Sequence, residues 1–564
     1  MLNKIKKYDK DILAVLYIIV TALWVLKGFS QRVDINLTDD TGYMVLGLRI
    51  QDVFLAGFGP LYSIMYKVLK QFTDDPVKIY DTAMYLMYIF PPVVAYGMLR
   101  SLGLRAIWAL ALSIGFLLSP NILSFITWSK ISHYAITVIM IWVIVSLRIK
   151  ETFNFLFSLV ILTFLLGYIR PESHLSWYLS TIWFLFYWIV RCKDKRGTFK
   201  KVAPVLLLFV FFIFLTLGSS QPTIEKINLL INPMAGGRSN VAFAQQFTYN
   251  YCEWNGLNNF DWIQWRQISK AIFGNFHTLG EAFQHNPSVF IHHILYNIEQ
   301  YILKFFLGVR AILLPPAVFH WNSVLLSIIF LAIIGGKIIY VGPSNWWLQF
   351  KTSICKYRFI IAGLALISLP SVISSVIFYT REHYLLLIMP LVLVLLTLIF
   401  LPQKHAQDNT PRIFYTLGFW ITLALIWIVR PNLSDYKTYD VWEEYTYPSN
   451  RKTIEALRKM NFTQKINEID HEGGLAVYVG KNYKWINLIN KEEQSYQDFE
   501  KQYQPNFYYV TKALLSNITL TEDPYFMDII HHPEKHGLHR IDLQKENKGY
   551  LLVQDSLKYQ PIHF

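Results

Sequence analysis

The sequence predicts an α-helical polytopic membrane protein with a small soluble α/β domain at its C-terminus, and three observations predict it. Apolar side chains make up 54% and aromatics 16% of the 564 residues, with a mean hydropathy of +0.31, too apolar for a soluble globule. The apolar residues gather in runs of roughly 20, the length that crosses a bilayer as a helix. After Arg430 the composition turns polar and charged to the end of the chain. The net charge of +14 lies mainly between the runs. It does not form one stripe with interleaved aromatics, which favours membrane topology over nucleic acid as its explanation.

About eleven runs have the length and composition of spans: 11–29, 79–99, 105–120, 133–149, 153–170, 175–190, 202–217, 320–340, 358–378, 384–401 and 412–429. The first follows a basic segment and no small-residue cleavage site ends it, so it reads as an uncleaved helix. Two segments differ. Residues 41–72 carry Arg49, Asp52, Lys67 and Lys70 around a GFGP break, which suits a pair of interfacial helices. Residues 291–313 place Ile291, Ile294, Leu295, Ile298, Ile302, Phe305, Phe306 and Val309 on one helical stripe, with Glu299 and Lys304 off it, an amphipathic and not a spanning pattern. Basic residues then set the orientation. Lys4 to Lys10, Arg100, Arg105, Arg148, Lys150, the 191–201 cluster, Lys337 to Arg358, Lys404 and Arg412 outweigh the alternate set of Arg32, Arg49, Lys67, Lys70, Lys78, Lys130, Arg170 and Arg381. The N-terminus is therefore expected in the cytoplasm.

Two domains follow: a membrane domain over 1–430 with outer loops at 30–78 and 218–318, and an extracytoplasmic domain over 431–564. In the latter, PSNRKTIEALRKMNF reads as a helix, GLAVYVG and NFYYVTK as strands, and RIDLQKENKGYLLVQ as a hairpin. Cys192, Cys252 and Cys355 fall in separate loops without metal-ligand or disulfide spacing.

Candidate chemistry gathers at helix ends on the predicted outer face: Asp34, Asp39 and Asp40; Arg170, Glu172 and His174 in GYIRPESHL; and Arg381, Glu382, His383 and Tyr384 in FYTREHYLL. Ionisable groups at a membrane face are costly unless paired or solvated in a cavity, which makes them functional candidates. The plain alternatives are ion-paired interface anchors for the two arginine motifs and a helix cap for TDD. One cap needs one such residue, and a second adjacent acid repels the first and raises one pKa, which serves a general base.

The order of these features resembles the GT-C glycosyltransferases, among them the protein O-mannosyltransferases and the lipid A aminoarabinose transferases. TDDTGYMVLGLRI is similar to their acidic-pair motif, with Asp39 in the first acidic position and Asp40 where many members have Glu. GPLYSIMY, from Gly59 to Tyr66, resembles their PPLYY stretch, and Tyr384 to Pro390, with Arg381 just ahead, resembles a late (R)xYxLxxxP helix start. The resemblance implies transfer of a sugar from a polyprenyl-phosphate carrier to a glycan, lipid or protein acceptor outside the membrane. Its implied partners are those molecules and the membrane lipids, with no nucleic acid. Ala56, Gly57 and Phe58 stand where some members have an acid and a lysine, so no metal ligand is assigned, and a divalent metal is the one cofactor left open.

In that chemistry Asp39 is the expected base, with Asp40 orienting it or binding acceptor, and Arg170 and Arg381 hold the departing phosphate. Glu172, His174, Glu382, His383 and Tyr384 complete the substrate-binding set. One in-line base implies inversion at the anomeric carbon, while Glu172 and Glu382 keep a two-step retaining route open. Trp254, Trp262 and Trp265 offer stacking faces or interface anchors. A transporter or flippase of a lipid-linked glycan, or a surface-polysaccharide ligase or polymerase, is the rival reading. The absence of internal repeats and the gathering of charge at one face favour the transferase. NPMAGGRS at 232–239 lacks the strand context of a nucleotide loop. The histidines of HHPEKHGLH read as a surface turn, and the sequons at Asn36, Asn461 and Asn517 matter only in a secretory setting.

Overall fold

A computed structural model describes residues 2–37, 39–48, 60–124, 130–191, 238–257, 264–314, 341–401 and, with short interruptions, 449–560, together with isolated positions between 197 and 340. Most are helical. The chain-order helices used below are α1 (Leu2–Val25), α2 (Asp39–Leu48), α3 (Pro60–Leu69), α4 (Pro76–Ser101), α5 (Ala106–Leu117), α6 (Ile131–Ser146), α7 (Thr152–Gly167), α8 (His174–Arg191), α9 (Arg238–Trp254), α10 (Pro287–Leu313), α11 (Pro343–Ile377), α12 (Met389–Phe400) and α13 (Ser449–Met460).

Local chemistry sets their starts. The Asp75 carboxylate accepts from the Val77 N–H at 3.0 Å ahead of Pro76, and the Asn286 side chain accepts from the Val289 N–H at 3.3 Å ahead of Pro287, so α4 and α10 begin on a cap followed by the ring that needs no N–H donor. Asp39 and Asp40 are the first two residues of α2, and acidic residues suit a helix N-terminus because of the helix dipole.

Three stretches are long and apolar enough to cross a membrane among the described residues: Pro76–Ser101, Pro343–Ile377 and His383–Phe400. Ala106–Leu117, Ile131–Ser146 and Thr152–Gly167 are shorter apolar helices. That is far fewer than the expected eleven. The runs at 202–217 and 412–429, and most of 320–340, lie outside the described residues. Along α8 the usual arrangement is inverted, with Ser176 and Ser180 buried while Ile182, Phe186 and Ile189 face outward. The 41–72 segment supplies α2 and α3, which lie against each other; Gly47 packs so tightly on Ser63 that no side chain would fit. Helix α10 exposes Ile291, Leu295, Ile298, Ile302 and Phe306 and buries His293 and Asn297, which hydrogen-bond the carbonyls that end α11.

The C-terminal domain is a five-stranded sheet of β1 (Ile466–Ile469), β2 (Tyr483–Trp485), β3 (Phe507–Val510), β4 (Leu538–Asp542) and β5 (Tyr550–Gln554). Its order is β2-β1-β3-β5-β4, parallel across β2, β1 and β3 and antiparallel from β3 onward. The expected helix, the NFYYVTK strand and the closing hairpin are all present. GLAVYVG differs: Leu475–Val479 is a short helix. Its buried residues, Leu475 and Tyr478, are three apart, a helical spacing that the β-branched Val477 and Val479 obscure in the sequence.

Helix α13 carries this domain onto residues 33–35 and the start of α4. Asp34 caps it, accepting from the Asn450 N–H at 2.7 Å and the Arg451 N–H at 2.9 Å. The Arg451 guanidinium binds the Val33 carbonyl at 2.9 Å and Asp81 at 2.6 Å, and Arg458 binds Asp75 at 2.8 Å. At the far end of α4, Arg100 binds Asp11 of α1 at 2.7 Å.

Candidate functional site

The start of α2 is built around a buried ion pair. Asp40 and Lys130 are 0% and 2% exposed, the Lys130 ammonium pairs with Asp40 Oδ2, and the Lys130 backbone N–H donates to Oδ1 at 3.3 Å. A charge this deep persists only with a close partner. The ammonium also stands 5.7 Å from the centre of the Tyr80 ring.

Phenols surround the pair. Tyr62 and Tyr66 share a hydrogen bond at 2.9 Å, and the Tyr62 ring lies edge-on to Tyr43 at 5.2 Å. The Tyr80 hydroxyl accepts from the Asn36 N–H at 3.0 Å. Thr41, the residue after Asp40, donates to the Asn36 carbonyl at 2.6 Å and hydrogen-bonds the Tyr478 hydroxyl at 2.7 Å. Tyr478 belongs to the C-terminal domain, whose chain passes so close at Gly474 that a side chain there would strike the Leu37 backbone. Burial pushes the Tyr62, Tyr66 and Tyr478 phenols up from their ordinary pKa, and the negative charge of Asp40 adds to it, so all three stay neutral.

A second cluster gathers the arginine motifs. Arg170, 5% exposed, donates from Nε to Glu172 at 2.6 Å, hydrogen-bonds the Ser132 hydroxyl, and lies 4.9 Å from the centre of the Tyr384 ring. His383 is buried beside Tyr384, ring centres 4.3 Å apart, with Arg170, Arg381 and His133 as its charged or titratable neighbours. Arg381 reaches helix α9, donating to Gln246 at 2.7 Å and standing over the rings of Tyr249 and Tyr379.

Residues 130–134 join the clusters. Lys130 holds Asp40, Ser132 holds Arg170, His133 is near enough to His383 to act on its charge, and the Tyr134 ring lies 5.9 Å from that of Tyr62. Two residues of a helix rise only about 3 Å, so the acidic motif and the first arginine motif meet at one helix start. His174 stands apart from that junction, packed on Gly167 with Tyr168 and Trp177 around it and the Glu172 charge acting on it. The side chains of Asp39 and Glu382 lie outside the described residues.

Lys130 and Tyr478 are not among the residues the sequence singles out. Lys130 had a signal: a lone cation three residues ahead of the 133–149 apolar run, on the face predicted to carry the acids. Tyr478 had none, since nothing in the sequence pairs position 478 with position 41.

The remaining sequence candidates separate from this centre. Asp34 serves the α13 cap. His536 binds Asp528 at 2.9 Å and His539 binds Asp555 at 2.8 Å and Tyr559 at 2.9 Å, each with its own partner. Among the described residues no three His, Cys, Asp or Glu side chains are placed to hold a metal. Cys252 is buried in α9 and Cys355 exposed on α11, so both are in helices and not in loops. Trp254 packs in an aromatic cluster with Phe247, His292 and Tyr296. Trp262, Cys192, residues 49–59 and residues 232–237 of NPMAGGRS lie outside the described residues. No protein-family model matches the chain, and comparison with curated proteins and with solved structures finds no match.

Proposed function

We propose that this chain is a polytopic membrane glycosyltransferase of the GT-C type, with about eleven spans, a cytoplasmic N-terminus and residues 431–564 outside. It takes a sugar from a polyprenyl-phosphate donor and passes it to an acceptor at the outer face. One observation carries the reading: Asp40 and Arg170, from motifs 130 positions apart, are bound by Lys130 and Ser132 at one helix start. A transferase of this class needs a carboxylate and a phosphate-binding guanidinium on one side of the membrane.

In the reaction the acceptor hydroxyl oxygen bonds to the anomeric carbon as the bond from that carbon to the carrier phosphate breaks. The phosphate leaves with the electron pair, and the hydroxyl proton passes to Asp39. Asp40, fully committed to Lys130, is the positioning residue that fixes the first turn of α2 and so the direction of Asp39. Arg170 and Arg381 meet the phosphate, with His383 and Tyr384 between them. One base acting in line gives inversion.

The test is the purified chain in proteoliposomes with a panel of polyprenyl-phosphate sugars. Consumption of one donor with release of the carrier phosphate supports the reading. A protein that is folded by its melting curve and consumes none of the panel refutes it.

A further inference from the structure

We propose that the end of the helix bundle remote from Asp40 carries a pocket for the phosphate of an anionic phospholipid headgroup. Asp81, near the start of α4, holds Arg451 of the C-terminal domain, while Ser101 ends the same helix. At 1.5 Å per residue those positions are about 30 Å apart, close to the thickness of a bilayer's hydrocarbon core.

At the Ser101 end a cavity of about 330 Å³ opens between the last turns of α4 and α6, the first turn of α7, and α11; Ser101, Ser146, Lys150, Thr152 and Lys356 stand on its wall. Lys150 and Lys356 are exposed, and among the described residues neither is paired with a carboxylate. The one acid on the wall, Glu151, turns its Oε2 to the Asn154 amide at 2.9 Å. Exposed Arg148, Lys351 and Arg358 extend the positive field around the mouth. The Ser101 and Ser146 hydroxyls donate to carbonyls of their own helices, at 2.7 and 2.9 Å, so the donors left for an anion are the two ammonium groups with Thr152 and the free N–H groups that open α7.

Two lysines at the mouth of a cleft between helices suit a phosphate. A lipid fits better than a soluble ion because exposed Val145 and Ile141, one turn apart on α6 next to the cavity's end of that helix, give an acyl chain an apolar path toward the bundle's middle. Nothing in this assignment depends on the sugar-transfer reading.

The full chain in neutral detergent is titrated with phosphatidylglycerol, phosphatidylcholine and inorganic phosphate, with binding read by native mass spectrometry and by the melting curve. Phosphatidylglycerol is expected to bind and raise the melting temperature, and Lys150→Gln/Lys356→Gln to weaken it by roughly tenfold or more. Lys501→Gln, an exposed lysine of the C-terminal domain, is expected to leave binding unchanged. Equal binding of phosphatidylcholine, unchanged binding by the double variant, or equal weakening by Lys501→Gln overturns the pocket. A shift with inorganic phosphate as large as that with phosphatidylglycerol overturns the lipid and assigns the cavity to a soluble phosphate.

Discussion

Lys130 holds Asp40 through two atoms, its ammonium on Oδ2 and its backbone N–H on Oδ1 at 3.3 Å, with both side chains sealed from solvent. Removing one partner leaves a buried charge that nothing balances. Asp40→Asn and Lys130→Met are each expected to cost about 3–5 kcal/mol. The double substitution is expected to recover more than half of the summed loss, because neither charge is then stranded. Denaturant unfolding of all four proteins measures the coupling, and strictly additive losses would show that the pair is not a stabilising unit.

The contact between Tyr478 and Thr41 is where the C-terminal domain touches the acidic motif. Tyr478→Phe keeps the ring against Tyr80, 6.2 Å between centres, and deletes only the hydroxyl. A loss of about 1 kcal/mol is expected, with Thr41→Val costing a similar amount and the pair less than the sum. If transfer activity depends on the direction of α2, both substitutions lower kcat more than they raise KM, and limited proteolysis finds the domain still docked.

Glu468 predicts a pH dependence of the C-terminal domain. It is fully buried in β1, in register with Trp485, and neither carboxyl oxygen has a hydrogen-bond partner among the described residues. Burial pushes its pKa well above the ordinary 4.5, and Asp470 beside it pushes the same way. The folded domain therefore keeps a proton that the unfolded chain releases. Stability is full below the unfolded value of 4.5 and is lost as pH rises toward the folded pKa. Glu468→Gln is expected to flatten that slope and to raise stability near neutral pH by on the order of 1–3 kcal/mol. Melting curves at several pH values compare the two proteins; parallel curves contradict the assignment.

Exposed Cys355 reports the orientation directly, because it sits beside Lys356 at the end of the bundle predicted to be cytoplasmic. In a Cys192→Ser background, with Cys252 buried, a membrane-impermeant maleimide is expected to spare Cys355 in intact cells and to label it in inverted vesicles. Labelling in intact cells would reverse the topology.

Much of the layout is legible in the sequence for physical reasons. Apolar runs such as 79–99 become α4 because a span-length helix is written in composition alone. The hairpin from Arg540 to Gln554 is written in alternation and a polar turn. GLAVYVG was not legible, since its helical state depends on Leu475 and Tyr478 packing against residues far away in sequence. At the site, Asp40 and Arg170 are readable as charges at helix ends, yet their meeting depends on Lys130 and Ser132, and no local rule links position 40 to 130 or 132 to 170. Buried polar pairs between distant segments are chosen by packing and leave no periodic trace.

The most direct measurement is the initial rate of sugar transfer by Asp39→Asn beside the wild type, at equal folded fraction, with the donor that the wild type consumes. The account predicts a loss of about 10²–10⁴-fold with an unchanged melting curve, since Asp39 takes the acceptor's proton while the Asp40–Lys130 pair keeps α2 in place. A folded Asp39→Asn protein that transfers sugar within about twofold of the wild type, far short of what loss of a general base costs, would contradict it.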